Sequence, residues 1–214
     1  MQIDLGSGDG KGPLRLARLE PSRLFVAVDL NDDALSRTAW RAARREARGG
    51  VRNLLCIAAN ARELSREIGG VADRVTIVLP WGELLRAVAT PDSETLEAIA
   101  GLCQPDASLE NVFSYDSRRD PSIPALRDYQ NSNAAQVEAH LREPYQRAGL
   151  HIRRVEDLDQ RALLDYPTTW ATRLAHGSPR KVWRIRGRKD EPLACATPIL
   201  RRDTVGPERD ISTN

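Results

Sequence analysis

Ile3-Asp4-Leu5-Gly6-Ser7-Gly8-Asp9-Gly10 and, further on, Phe25-Val26-Ala27-Val28-Asp29 are the stretches whose reading decides the fold. A short apolar strand running into a glycine-dense turn lets backbone amides come close to a ligand, because glycine carries no Cβ to block the approach. An acidic residue at the tip of the next strand can then accept the hydroxyls of a ribose. A dinucleotide fingerprint requires a third glycine at position 11, where this chain has Lys11. A nicotinamide-dependent oxidoreductase is therefore the weakest reading of the turn. The pattern present is D-x-G-x-G-x-G.

Outward from this turn, short apolar runs alternate with amphipathic or charged stretches. Strands are expected at 2–5, 24–28, 53–58, 74–79, 109–115, 150–155 and 181–186, with helical segments near 12–19, 31–48, 61–67, 83–87, 92–102 and 133–148. Alternation at this pitch predicts an α/β domain, a mostly parallel sheet with helices on both faces. The domain is expected to span 1–187. Residues 116–132, polar and proline-bearing, read as a long loop or insertion. Residues 188–214, with three prolines, mixed charge and no period, read as a disordered tail.

Composition narrows the class. The net charge of +2 conceals 29 arginines against 3 lysines. Coding bias in a GC-rich genome accounts for much of that, while arginine's planar fork of donors also suits phosphate. Cys56, Cys103 and Cys195 are odd in number and widely spaced, so neither a disulfide framework nor a metal site is expected. No apolar run reaches a membrane span and no secretory signal is visible, which predicts a cytoplasmic protein without a membrane partner. His140, His151 and His176 are scattered and read as surface or capping residues.

Two tryptophans stand out. The fourth strand ends in Val78-Leu79-Pro80-Trp81-Gly82-Glu83, and the carboxyl ends of strands carry the ligand crevice in such sheets. Trp170 recurs in Tyr166-Pro167-Thr168-Thr169-Trp170, read as a loop before the last strand. Either indole could cap the core; together, on separate loops, they could grip a base taken out of its stack. Arg41, Arg44, Arg45 and Arg48 fall at i, i+3, i+4 and i+7, which would place all four on one face of a helix. A solvated face is the plain reading of such a stripe. A phosphate-docking surface is the functional one.

D-x-G-x-G-x-G at 4–10 resembles the first motif of class I methyltransferases, which bind S-adenosyl-L-methionine. Taken with V-A-V-D, L-P-W-G-E-L-L-R and T-T-W-A-T-R-L-A, it resembles the aminoglycoside-resistance methyltransferases that modify N1 of adenine 1408 in 16S rRNA. The likeness runs over about residues 2–187. It implies a Rossmann-like, seven-stranded sheet with its last two strands paired as a hairpin. It also implies a monomer acting on the assembled 30S subunit, with resistance to drugs such as kanamycin and apramycin as the result. Asp4, Gly6, Ser7, Gly8 and Asp29 would belong to the cofactor site, with Ala61 and Arg62 along the adenine ring. Leu79, Pro80, Gly82 and Glu83 would wrap the methionine end. Trp81 and Trp170 would sandwich the flipped adenine, Thr168 and Thr169 would line the same pocket, and Arg180 would steady the flipped nucleotide's backbone. The arginines at 41–48, with Arg118 and Arg119, would dock on rRNA.

The chain departs from that family at three places. Arg62 stands where a glutamate is usual, with Glu63 following immediately, and Glu83 replaces a small hydroxyl residue. Residue 2 already lies in the first strand, so the start is expected to be truncated or misassigned relative to a family whose hairpin precedes that strand. Two other readings follow from these departures. One is a methyltransferase for a small molecule or another RNA. The other is an inactive ribosome-binding homologue.

Overall fold

Residues Phe25–Asp29 alternate between two hydrophobic layers, and that alternation shows how the molecule is built. Phe25 and Ala27 pack with Leu14, Ala17, Leu35 and Ala42, whereas Val26 and Val28 pack with Ala61, Leu64 and Leu96. A strand apolar on both faces belongs in the interior of a sheet covered on both sides. The computed structural model describes residues 1–116 and 124–190. Arg118 and Arg119, Cys195 and residues 191–214 of the expected tail lie outside the described residues.

Seven strands form one sheet: β1 (Gln2–Leu5), β2 (Phe25–Asp29), β3 (Leu54–Ala58), β4 (Ala72–Val78), β5 (Cys103–Tyr115), β6 (Leu150–Asp157) and β7 (Lys181–Lys189). Their order is β3-β2-β1-β4-β5-β7-β6. The pairings from β3 through β5 are parallel; β7 runs antiparallel to both β5 and β6. The order is that of the expected Rossmann-like, seven-stranded and mostly parallel sheet. The helices are α1 (Lys11–Leu19), α2 (Asp32–Ala42), α3 (Ala61–Glu67), α4 (Gly82–Ala89), α5 (Ser93–Leu102), α6 (Ala134–Arg147) and α7 (Thr169–Ala175).

Several boundaries differ from expectation, each for a physical reason. β5 starts at Cys103 because Cys103 pairs with Ala72 ahead of a register shift, although Gln104-Pro105-Asp106 is polar and Asp106 has a positive φ. β7 continues through Arg188 and Lys189, whose partners are His151 and Leu150, so the strand runs past residue 187. Within the expected loop, Pro124–Asn131 forms a 3₁₀ segment that buries Leu126 and Tyr129. The Tyr129 hydroxyl donates to the Ala89 carbonyl at 2.5 Å, tying this segment to α4. β6 and β7 do pair, but through residues 158–180, which carry a 3₁₀ turn (Gln160–Asp165) and α7.

The helix expected over 31–48 stops at Ala42. Asn31 caps its start by accepting from the Ala34 amide at 3.0 Å, and Asp32 and Asp33 occupy its positive first turn. At the other end the Ala42 carbonyl is taken by the Val51 amide at 2.9 Å. Gly49, with φ 79°, reverses the chain, and Gly50 lies so close that a Cβ there would sit 1.8 Å from the Arg44 oxygen. Only a glycine admits that return path toward β3.

Candidate active site

β1 lies between β2 and β4, where the strand order reverses, and ligands of open α/β sheets bind outside the carboxyl ends at that point. A cavity of about 1000 Å³ opens there. Its floor is the glycine turn. Gly6 and Gly8 have φ of 69° and 59°, in the region that L side chains rarely adopt. A Cβ on Gly6 would meet Leu84 Cδ2 at 2.8 Å, whereas one on Gly8 would meet nothing within 4 Å. The turn is thus packed against α4 on one side and open on the other.

The Asp29 carboxylate is held at the tip of β2 by two backbone amides. Gly8 N donates to Oδ2 at 2.8 Å and Asn31 N donates to Oδ1 at 2.9 Å. Each oxygen keeps a lone pair for a further donor, the pattern that a ribose diol requires. Asp4 lies deeper, accepting from the Thr76 hydroxyl at 2.6 Å. Burial pushes its carboxyl up to about 6, against the pull of that hydrogen bond and with some help from the Asp29 charge. The Ser7 hydroxyl is buried with no hydrogen-bond partner among the described residues. A buried donor left so costs free energy unless a ligand supplies the acceptor.

The wall from α3 carries Asn60, Ala61 and Arg62. Arg62 points its charge at α5: its guanidinium reaches Asp92 and Glu94 at 2.6 Å each and the Thr95 hydroxyl at 3.1 Å. Glu63 does not line the cavity. Its carboxylate accepts from the Asn60 amide at 3.1 Å while the Asn60 side chain accepts from Glu63 N, a reciprocal cap that locks the start of α3.

The wall from β4 turns at Leu79, a buried non-glycine residue with φ 53°. Such a conformation is strained for a branched side chain and persists only where the surroundings hold it. Here the Leu79 amide donates to the Val112 carbonyl at 2.7 Å and the side chain packs with Leu163 and Leu174. The turn lifts Trp81 to the cavity mouth, 54% exposed. Pro80 does not line the cavity; it is buried behind Gly6. Gly82 and Glu83 do line the cavity; Glu83 is at its open rim, largely exposed and ion-paired to Arg86 at 2.6 Å.

Trp170 lies in the first turn of α7 and not in a loop. Thr168 caps that helix, its hydroxyl accepting from the Ala171 amide at 3.0 Å. Thr169 donates to Asp9 Oδ2 at 3.3 Å, and Lys11 pairs with the same carboxylate at 2.5 Å. Burial works to raise the Asp9 carboxyl, but Lys11 and the Thr169 hydroxyl outweigh it and hold the group below its ordinary range. The glycine turn and α7 are thereby joined. Trp81 and Trp170 meet edge to face, ring centroids 5.1 Å apart and planes at 62°.

Other residues fall differently. Arg180 does not line the cavity; its amide donates to Gln160 Oε1 at 3.2 Å, in the segment before β7. The four-arginine face does not form: Arg41 is in the last turn of α2, Arg44 and Arg45 follow the helix, and Arg48 is in the 3₁₀ turn Glu46–Arg48. All four remain exposed. Asp9, Lys11, Thr95 and Arg173 also line the cavity, beyond the residues to which the sequence motifs point. For Asp9 and Lys11 a signal is present, since both sit in the glycine turn. Among the described residues no group of His, Cys, Asp or Glu is placed to hold a metal, and no helix is long and apolar enough to cross a membrane.

The model of the NpmA family, 16S rRNA (adenine(1408)-N(1))-methyltransferase, matches residues 1–189. The chain belongs to this family. A 16S rRNA (adenine(1408)-N(1))-methyltransferase from Streptoalloteichus tenebrarius is 33% identical over 172 residues, covering 80% of this chain and 79% of that protein. One from Escherichia coli is 29% identical over 188 residues, covering 87% and 86%. Among solved structures, the 16S rRNA methyltransferase KamB superposes with a TM-score of 0.79 at 31% identity, over 89% of this chain and 87% of that one. A tryptophan-to-alanine variant of the Catenulisporales acidiphilia enzyme, solved with the cosubstrate SAM, gives 0.79 at 29% identity over 90% and 86%. The 16S rRNA (adenine(1408)-N(1))-methyltransferases are S-adenosylmethionine-dependent enzymes. The groups present fit that cosubstrate: a diol acceptor at Asp29, an open glycine turn, and an unsatisfied buried hydroxyl at Ser7.

Proposed function

We propose that this chain transfers a methyl group from S-adenosylmethionine to N1 of adenine 1408 in the assembled 30S subunit, and so confers aminoglycoside resistance. The observation that carries the reading is the convergence of Trp81 and Trp170 at the mouth of the cavity whose floor holds Asp29 and the glycine turn.

When bound, the cosubstrate supplies a methyl group activated on a sulfonium sulfur. Asp29 accepts its ribose hydroxyls, Ala61 lines its adenine ring, and Asp4 sets a negative charge near its cationic end. Adenine N1 has an in-plane lone pair and attacks the methyl carbon as the carbon–sulfur bond breaks and its electron pair passes to sulfur. No proton has to be removed, so no general base is required. The positive charge moves from sulfur to the base. The work of the protein is positioning, and a near-attack geometry lowers the barrier by several kcal/mol. Trp81 and Trp170 hold the flipped base by its faces, each stacking contact contributing on the order of 1–3 kcal/mol. Thr168 and Thr169 border the same space. A monomer in the cytoplasm, where its substrate is, completes the reading.

Radiolabelled methyl transfer to purified 30S subunits, followed by reverse transcription across the decoding site, tests it. A stop at adenine 1408 is the expected outcome, since N1 methylation blocks pairing. Labelling elsewhere, or none with the cosubstrate bound, would overturn it.

A further inference from the structure

Asp9 takes no part in the chemistry proposed above, yet it lines the cavity and touches both of its halves. Its backbone is pinned from behind, since the Thr38 hydroxyl of α2 donates to the Asp9 carbonyl at 2.6 Å. Its carboxylate faces two elements at once. Oδ1 accepts from the Lys11 amide at 3.2 Å, and Oδ2 takes both the Lys11 ammonium at 2.5 Å and the Thr169 hydroxyl at 3.3 Å. With its carboxyl held below the ordinary range, Asp9 is an acceptor only at neutral pH, so Thr169 is the donor. Nearby, a Cβ on Gly12 would meet Thr168 Cγ2 at 3.1 Å and the Pro167 oxygen at 3.5 Å, so the start of α1 is seated against the start of α7. With seven residues, α7 is too short to hold its own place. Its far end is held by the Gln160 side chain, which donates to the Leu174 and Gly177 carbonyls. Its apolar residues Ala171 and Leu174 cluster with Leu79, Val112, Leu163 and Val182, none of which belongs to the glycine turn.

We propose that Asp9 is a positioning residue for the target base: by holding Thr169 it sets the distance between Trp170 and the glycine turn, and so between the stacked adenine and the methyl group it attacks. The inference rests on the stacking role of Trp170 proposed above. Thr169 immediately precedes Trp170, so a hydrogen bond to its hydroxyl fixes the backbone from which the indole projects. The other end of that bond is anchored in the turn that would carry the cosubstrate. A rigid link of this kind matters because a displacement of about 1 Å in a reacting pair costs on the order of 100-fold in rate.

Methylation of purified 30S subunits, with kcat and KM separated, tests this. Asp9→Ala and Thr169→Val, which removes the hydroxyl, are each expected to lower kcat about 10- to 100-fold. KM for subunits should hold, because the lost interaction acts only in the reacting complex. The double variant should fall no further than either single one, and Thr169→Ser should recover most of the loss. Calorimetry should find the cosubstrate Kd of Thr169→Val unchanged. Acrylamide quenching reads the indole without any substrate: in a Trp40→Phe/Trp81→Phe background, with Trp183 buried, Asp9→Ala should raise the quenching of Trp170. Unchanged quenching, losses that multiply in the double variant, or a loss carried wholly by cosubstrate Kd would overturn the inference. Wild-type protein that binds subunits but leaves adenine 1408 unmethylated would instead defeat the proposed function, and the quenching result separates that failure from this one.

Discussion

Trp81 and Trp170 touch each other edge to face, with centroids 5.1 Å apart, where a base stacked on both needs parallel faces about 7 Å apart. A base enters only if one indole swings away. Trp81, 54% exposed and on a turn, has the room to move, while Trp170 is fixed at the start of a helix bonded to Asp9 through its neighbour Thr169. Trp81→Ala and Trp170→Ala are each expected to lower kcat/KM for subunits about 10- to 100-fold, with cosubstrate affinity retained. Methylation kinetics beside calorimetry separates the two; wild-type rates in either variant would remove the stacking role.

Asp29 is bound by two amides that both donate, so an amide side chain cannot satisfy both. Asp29→Asn turns an NH₂ group toward either Gly8 N or Asn31 N and forfeits one charge-assisted bond. The expected result is a loss of about 2 kcal/mol of stability and a cosubstrate Kd raised about 10- to 100-fold. Calorimetric titration of the folded variant checks the second effect independently of the first.

Asp4 makes stability fall with pH. An unfolded chain gives up this proton near pH 4, whereas the folded chain keeps it to about 6. The folded state therefore loses ground between pH 4 and 6, then stays level. Asp4→Asn has no proton to lose, so its advantage over wild type should be absent below pH 4 and complete above pH 6, at up to about 3 kcal/mol. Urea unfolding of both proteins at several pH values reads this out. A cationic cosubstrate favours the ionised carboxylate, so wild-type affinity should rise with pH through about 6. That dependence should flatten in Asp4→Asn.

Arg62 links α3 to α5 through Asp92, Glu94 and Thr95. A glutamate at this position would place a third carboxylate beside two others. Arg62→Glu is expected to destabilise by about 1–2 kcal/mol, and Arg62→Gln by less than about 1, since the site is partly exposed and screened. Thermal melts at low and high salt check the sign: the penalty in Arg62→Glu should shrink as salt rises.

The glycine turn and Asp29 were legible in the sequence, and β2 most clearly among the strands, because a parallel strand buried on both faces leaves an unbroken apolar run. Both tryptophans were legible as a pair because one follows a strand end and the other precedes the last strand. α7 was not, since seven residues are too few to display a helical period, although Thr168 ahead of Trp170, Ala171 and Leu174 is a capping signal. The end of α2 was hidden as well. Arg41 to Arg48 keep a helical period, but the path is set by Gly50 against the Arg44 backbone, a contact made in three dimensions. The role of Arg62 depended on Asp92 and Glu94, about thirty residues away in sequence, and no local pattern announces such a cluster.

β7 lies between β5 and β6, both made earlier in synthesis. Until Lys181–Lys189 leaves the ribosome, β6 has no neighbour in the sheet, and Phe113 lacks the Trp183 ring that packs 5.3 Å from it. The half of the molecule that carries Trp170 thus closes only after nearly all of the domain has been translated, with the slow, non-local pairing that such an insertion imposes. A nascent chain stalled before Lys181 should leave β6 amides open to hydrogen exchange while those of β1 to β4 are protected. A protein proposed to modify ribosomes would then gain its substrate grip only once its last sheet strand has emerged from the ribosome making it.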